Sequence, residues 1–307
     1  MIINISDIWQ DVVLQHAEFL NKVIDAGMAL LEDSALERQV YQFIAYNREI
    51  IVSGSPTDLL SSIKSYNDNF KSHSLRSKAG SKLKKIFNYS DFSKKSDKPW
   101  TAYQLCIQAR HQTCSYCHLV VIDSSLPNEN GKGYRPPIDH YFAKADYPFL
   151  ALSLSNLIPC CEKCNGSQMK GSVDFATKAH LNPLVDNESI GFALTVDTQQ
   201  DAAEAITLNL PKDRYRLSLF IVDNEPASLE SLKTFQLITR YQHYVGTAYH
   251  LAKKMRGVSA RLNMHDEALD FETSIDDYLE FEPETYKSVP YGKARICIAK
   301  QFGAITD

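Results

Sequence analysis

Apolar residues recur at steps of three and four from the start of the chain. Ile8, Val12, Phe19, Val23, Ala26 and Leu30 fall on one stripe of a helix with 3.6 residues per turn. The pattern predicts an amphipathic helix here and a second over Ala35 to Val52. Gly54-Ser-Pro-Thr interrupts it, with Thr57 or Asp58 placed to cap a third helix from Asp58 to about Tyr66. The stretch from there to Lys98 is rich in serine and lysine and poorly patterned, so a mobile linker and a helix with a lysine-bearing polar face both stay open. Trp100 to Arg110 reads as helix again. Then the period shortens: HLVVIDSS suits a short strand, LPNENGKGYRPP a loop and Ile138 to Phe142 a strand, and Glu162 to Lys170 suits a helix. Ser189 to Val196, Ala205 to Leu210 and Tyr215 to Val222 alternate as strands do. Helix is predicted from Ser228 to about Lys254 and from Asp266 to Leu279, and a final helix, PYGKARICIAKQFG, ends at Gly303. Phe235, Leu237, Tyr241, Tyr244 and Tyr249 form a stripe that suits a core or interface. The whole is an α+β, mostly helical chain in three regions: helical 1–98 with a basic linker, 99–185, and 186–307, which is α+β and mainly helical.

Composition narrows this picture. With 44% hydrophobic residues over 307 positions, the chain buries a substantial core without disulfides. No apolar run approaches the roughly 18 residues of a spanning helix, and MIINISDIWQDVV lacks a basic n-region and cleavage site. The expectation is a cytoplasmic protein with no membrane partner. Seven cysteines, an odd number, fit reduced thiols better than a disulfide framework. Cys106, Cys160 and Cys297 read as small buried hydrophobes. A net charge of −4 argues against a protein that coats nucleic acid everywhere. Locally, Lys71 to Lys98 carries nine lysines and arginines against Asp91 and Asp97. Phosphate contact and a plain solvated face are equal readings of that run. The opposite bias appears from Asp266 to Glu284.

The chemistry concentrates between Cys114 and Lys170, in CSYC, IDHYF and SNLIPCCEKCNGSQMK. Four thiolates in two Cys-x-x-Cys pairs, Cys114/Cys117 and Cys161/Cys164, satisfy tetrahedral zinc and leave no open position, so such an ion is structural. Cys160 could replace Cys161 only after a register change, because Cys161/Cys164 alone gives the two-residue spacer. Between the pairs, Asp139 and His140 offer a hard oxygen ligand and a general base. Neighbours on a strand point to opposite faces, so the two do different work.

These motifs together resemble the HNH endonucleases, in their zinc-bearing ββα-metal form, over roughly residues 100–185. The resemblance implies a ββα-metal core with a structural four-cysteine zinc site, flanked by helical N- and C-terminal regions. It implies that Asp139 and Asn165 hold a catalytic Mg²⁺ or Mn²⁺, that His140 activates water, and that Asn156 braces the loop and orients the His140 ring. The substrate it implies is DNA, cut by phosphodiester hydrolysis. The longer chain is similar to the HNH subunits of Septu-like bacterial anti-phage systems, in which the nuclease works with an ATPase. A nuclease acting on RNA or tRNA, and a zinc-stabilised nucleic-acid-binding module without activity, are the alternatives. Tyr141, Lys144 and Lys170 read as phosphate contacts or as surface cover, and His180 as a polar member of the cleft or part of a turn. The gap from the last knuckle to Lys170 is longer than the family's.

Overall fold

The computed structural model describes residues 2–96, 98–129, 131–197, 202–262 and 275–305. It is mostly helical, with two small antiparallel sheets of two strands each. Contacts divide it into two compact units, one of Asn4–His111 and Ile122–Val185, the other of Met1–Ile3, Gln112–Val121 and Asp186–Asp307.

The first unit begins with α1 (Val13–Ala29), α2 (Ala35–Ser53), α3 (Asp58–Asn69) and α4 (His73–Ile86). Polar caps start most of these helices: Ser34 accepts from Glu37 N ahead of α2, and Ser72 from Leu75 N ahead of α4. At α3 neither Thr57 nor Asp58 caps alone. Ser55 N and Oγ donate to Asp58 Oδ2 while Ser55 Oγ receives Asp58 N, a reciprocal box that starts three residues early. The serine- and lysine-rich stretch is helical, because Ala79, Leu83 and Ile86 bury one side of α4. Gly27 of α1 lets that helix approach closely, since a Cβ there would meet Ile86 Cγ2 at 2.5 Å.

After α5 (Tyr89–Ser93) and α6 (Ala102–Ile107), the chain forms β1 (Ile138–His140), β2 (Leu157–Pro159) and α7 (Glu162–Asn165). The strands pair antiparallel with His140 opposite Leu157. Three-residue strands hold few ladder bonds, so the helices do much of the fastening. Phe149, in the 3₁₀ turn Pro148–Leu150 between the strands, meets Phe43 of α2 edge-on at 4.9 Å and Tyr66 of α3 at 5.1 Å. Trp9 Nε1 donates to Leu157 O at 2.8 Å.

His16 of α1 fixes the same connection. Its Nε2 donates to Leu152 O at 2.7 Å, and its Nδ1 accepts from Trp100 Nε1 at 3.2 Å. Both partners require the neutral ring, and burial lowers its pKa to about 4. The unfolded ring, near 6.5, binds more protons between those two values, so this contribution is complete above about pH 6.5 and is lost as pH falls toward 4. It amounts to about 3 kcal/mol. The expected result is that urea midpoints fall between pH 6.5 and 4 in the wild type, and less steeply in His16→Gln.

The second unit pairs β3 (Ile190–Val196) with β4 (Tyr215–Ile221) over seven residues. Between them lies α8 (Ala202–Thr207); α9 (Glu225–Thr234), α10 (Leu237–Gln242), α11 (Val245–Leu262), α12 (Ile275–Leu279) and α13 (Gly292–Gln301) follow. The α13 residue Gln301 bonds Leu194 N and O, extending the edge of β3. Tyr241 sits in the core with its hydroxyl on Cys117 O at 2.7 Å, and Tyr116 stacks on Phe235 at 4.5 Å.

Several local expectations need correction. Ala205 to Leu210 is not a strand: Ala205, the residue type that most favours helix, continues α8, and Leu208 closes that helix at φ +56°. The single helix from Ser228 is three, broken at Gln236 with φ +48° and again before Val245. The helix after the second cysteine pair stops at Asn165, where Gly166 and Gly171 carry the chain into turns. HLVVIDSS makes isolated bridges in place of a strand, Val121 with Thr113 and Ser125 with Tyr134. Of the helix expected from Asp266 to Leu279, Ile275–Leu279 is helical and 266–274 lie outside the described residues.

Candidate active site and metal centre

Each cysteine pair is set by its own backbone turn. At the first, Cys117 N and His118 N both donate to Cys114 O, and Cys114 N returns to Val120 O at 3.0 Å, with His118 at φ +52°. At the second, Cys161 is the N-cap of α7 and Cys164 lies within the helix. The sulfurs of Cys114, Cys117, Cys161 and Cys164 lie within 4.8 Å of one another, all buried. Four soft donors so close fit a structural zinc. Cys160 stands outside this set, fully buried, its thiol pushed well above the ordinary range by desolvation.

Between the pairs, β1 delivers Asp139 and His140 to different surroundings. His140 is 4% exposed. Its Nε2 donates to Ala151 O at 3.0 Å, which leaves Nδ1 as the acceptor, 3.5 Å from Lys144 Nζ. The edge of Tyr89 closes the ring at 4.4 Å between centroids. Desolvation, then the Lys144 charge, holds the imidazole well below its usual pKa. The neutral ring is therefore the resting form, with its lone pair on the side of the exposed Lys144.

Asn156 is fully buried and clips the loop that both strands share. Its Oδ1 receives Phe142 N at 2.7 Å, and its Nδ2 donates to Phe142 O and Leu150 O at 3.0 Å each. Leu150 precedes Ala151, so the amide and the imidazole grip one connection from either end. Removing it strands three buried polar groups, each worth about 1–3 kcal/mol. Asn156→Ala is expected to lower unfolding free energy by about 3 kcal/mol, read from urea titration.

The chain is similar to the Septu protein PtuB of Bacillus thuringiensis. The likeness is 30% identity over 92 residues, covering 30% of this chain and 32% of PtuB, so the match spans about a third of that relative. No protein-family model matches, and no solved structure does.

The remaining site candidates divide. Lys170, which the sequence presents as a phosphate contact or surface cover, is neither: it is 3% exposed. Its ammonium donates to Asp139 Oδ1 and Oδ2 at 2.8 and 2.6 Å, to His140 O, and to Tyr141 O at 3.2 Å. It also lies 4.7 Å over the Phe175 ring. His180 stacks on Phe175 at 4.0 Å and its carbonyl receives the Tyr141 hydroxyl. Asn165 is half-buried at the end of α7, and its side-chain amide makes no hydrogen bond among the described residues. Asp139, His140, Asn156 and Lys170 thus belong to one network, and Asn165 stands outside it. As donors, the Asp139 carboxylate and the Asn165 amide oxygen suit a hard divalent ion. Asp139 already compensates a cation, so such an ion would share the carboxylate with Lys170 or take its place. No helix among the described residues is long and apolar enough to cross a membrane.

Proposed function

We propose that this chain is a metal-dependent endonuclease of the HNH type that hydrolyses DNA phosphodiester bonds in anti-phage defence, acting in the cytoplasm with an ATPase partner. The observation that carries this reading is the His140 ring. A carbonyl fixes its Nε2–H, its Nδ1 is left to accept a proton, and a cationic side chain stands beside that atom. Water placed at Nδ1 would lose its proton to the ring while attacking phosphorus, and Lys144 would offset the phosphate charge. Asn156 holds the neighbouring Leu150 carbonyl and so steadies the segment that sets the tautomer. The order β1, β2, α7 suits a ββα-metal core. Asp139 and Asn165 would hold Mg²⁺ or Mn²⁺, which when bound polarises the phosphate and the leaving oxygen. The likeness to a Septu protein supports the defence role, and the ATPase is the partner that the Septu-like resemblance of the sequence implies.

The test is plasmid nicking with Mg²⁺ or Mn²⁺. His140→Ala is expected to cut about 10²- to 10⁴-fold more slowly while retaining its zinc. Unchanged cutting by that variant removes the mechanism. Absence of cutting by both proteins, with the ATPase supplied, leaves the binding-module alternative.

A further inference from the structure

We propose that one face of α4 is the track along which a nucleic-acid backbone runs to His140. This rests on the nuclease reading for its destination, but its evidence lies outside the motif. The helix carries Arg76, Lys78, Lys82, Lys84 and Lys85 and no acidic residue. Glu37 occupies Lys82, whereas Arg76 donates only to the neutral Asn67 Oδ1, and Lys78, Lys84 and Lys85 form no ion pair among the described residues. Of the five, Arg76 and Lys84 stand on the cleft face and form no ion pair among the described residues, whereas Lys82 and Lys85 turn to a separate pocket lined by Glu32 and Glu37. The Arg76 and Lys84 pair complements a phosphate backbone.

The face has depth as well as charge. His73, Arg76, Ser77, Gly80, Ser81 and Lys84 recur at helical spacing and line one side of a cavity of about 460 Å³. The other side includes Ala145, Asp146, Tyr147 and Asp174. Asp174 is engaged by the Tyr147 hydroxyl at 3.2 Å and by Ala176 N at 2.9 Å. Asp146 and Asp174 repel phosphate, so a backbone in this cleft lies against α4.

The wall also fixes the direction. Ala145 to Tyr147 belong to the segment between Lys144 and Ala151, the two residues that contact the two ring nitrogens of His140. Helix α4 packs on the Pro148–Leu150 turn of that same segment. A strand seated in the cleft therefore reaches the base by following one short stretch of chain.

The experiment uses the full chain with His140→Ala, without added divalent ion, and fluorescence anisotropy with labelled duplex and single-stranded DNA across a salt series. Arg76→Gln/Lys84→Gln is compared with Lys22→Gln/Lys64→Gln, which removes the same charge from exposed sites elsewhere on the unit. The α4 pair is expected to weaken binding roughly tenfold or more at low salt and to flatten the log–log salt slope by about two. The control pair should do neither. An equal loss in both pairs, or undiminished binding by the α4 pair, overturns the track. If that happens while His140-dependent cleavage persists, the nuclease reading stands alone. Loss of binding at α4 in a chain that never cleaves leaves the track and sinks the nuclease. Failure of the His140→Ala parent to bind DNA overturns the track.

Discussion

Serine in place of Cys114, Cys117, Cys161 or Cys164 is expected to release zinc, whereas Cys106→Ser and Cys160→Ser keep it. The four sulfurs are buried within 4.8 Å of one another, a spacing that deprotonated thiols tolerate only around a cation. Structural zinc contributes roughly 10–16 kcal/mol in small zinc-folded peptides. Shared among four ligands, this is about 3 kcal/mol each, or about a hundredfold in affinity per ligand lost. Metal content by plasma emission should give one zinc per wild-type chain and far less than one in each of the four variants after dialysis against a mild chelator. Zinc retained in Cys161→Ser and lost in Cys160→Ser would reassign the second pair.

Lys170→Met is expected to destabilise the chain by about 3–5 kcal/mol, the cost of leaving one member of a buried ion pair alone. Asp139 and Lys170 are each almost fully buried, and the ammonium also holds the carbonyls of His140 and Tyr141. Asp139→Asn/Lys170→Met should recover much of the loss, because no uncompensated charge remains. Thermal unfolding with and without divalent ion adds a second readout. If the Asp139 carboxylate accepts such an ion, Mg²⁺ or Mn²⁺ raises the melting temperature of Lys170→Met more than that of the wild type. A variant indifferent to both ions removes Asp139 as a ligand and leaves Lys170 as its resident partner.

The sequence displays features whose causes are local in the chain. The cysteine spacing marks a metal cluster because each pair needs only one turn to converge. The helical period of α1 is legible, although the side it buries is His16, Leu20 and Ile24 while Ala26 and Leu30 of the expected stripe are exposed. Contacts between distant positions stay hidden. Nothing around Lys170 points to Asp139, thirty-one positions earlier, and nothing in α1 shows that His16 meets Trp100 and the carbonyl of Leu152. Boundaries failed where one residue took a left-handed conformation, as at Gln236 and Leu208, because the apolar pattern on either side is undisturbed. The serine-lysine stretch concealed α4, since three apolar residues over two turns are too few to stand out from its charges.

The brevity of β1 and β2 bears on how this chain can be divided. A hairpin of three-residue strands has almost no stability of its own, and here Phe149, Leu152 and Leu157 are secured by Phe43, Tyr66, His16 and Trp9. A fragment spanning 99–185 would present those groups to solvent and lose its shape. The hairpin that bears His140 is thus no portable module, and changes at Phe43, Tyr66, His16 or Trp9 would reach its chemistry without touching the His140 ring.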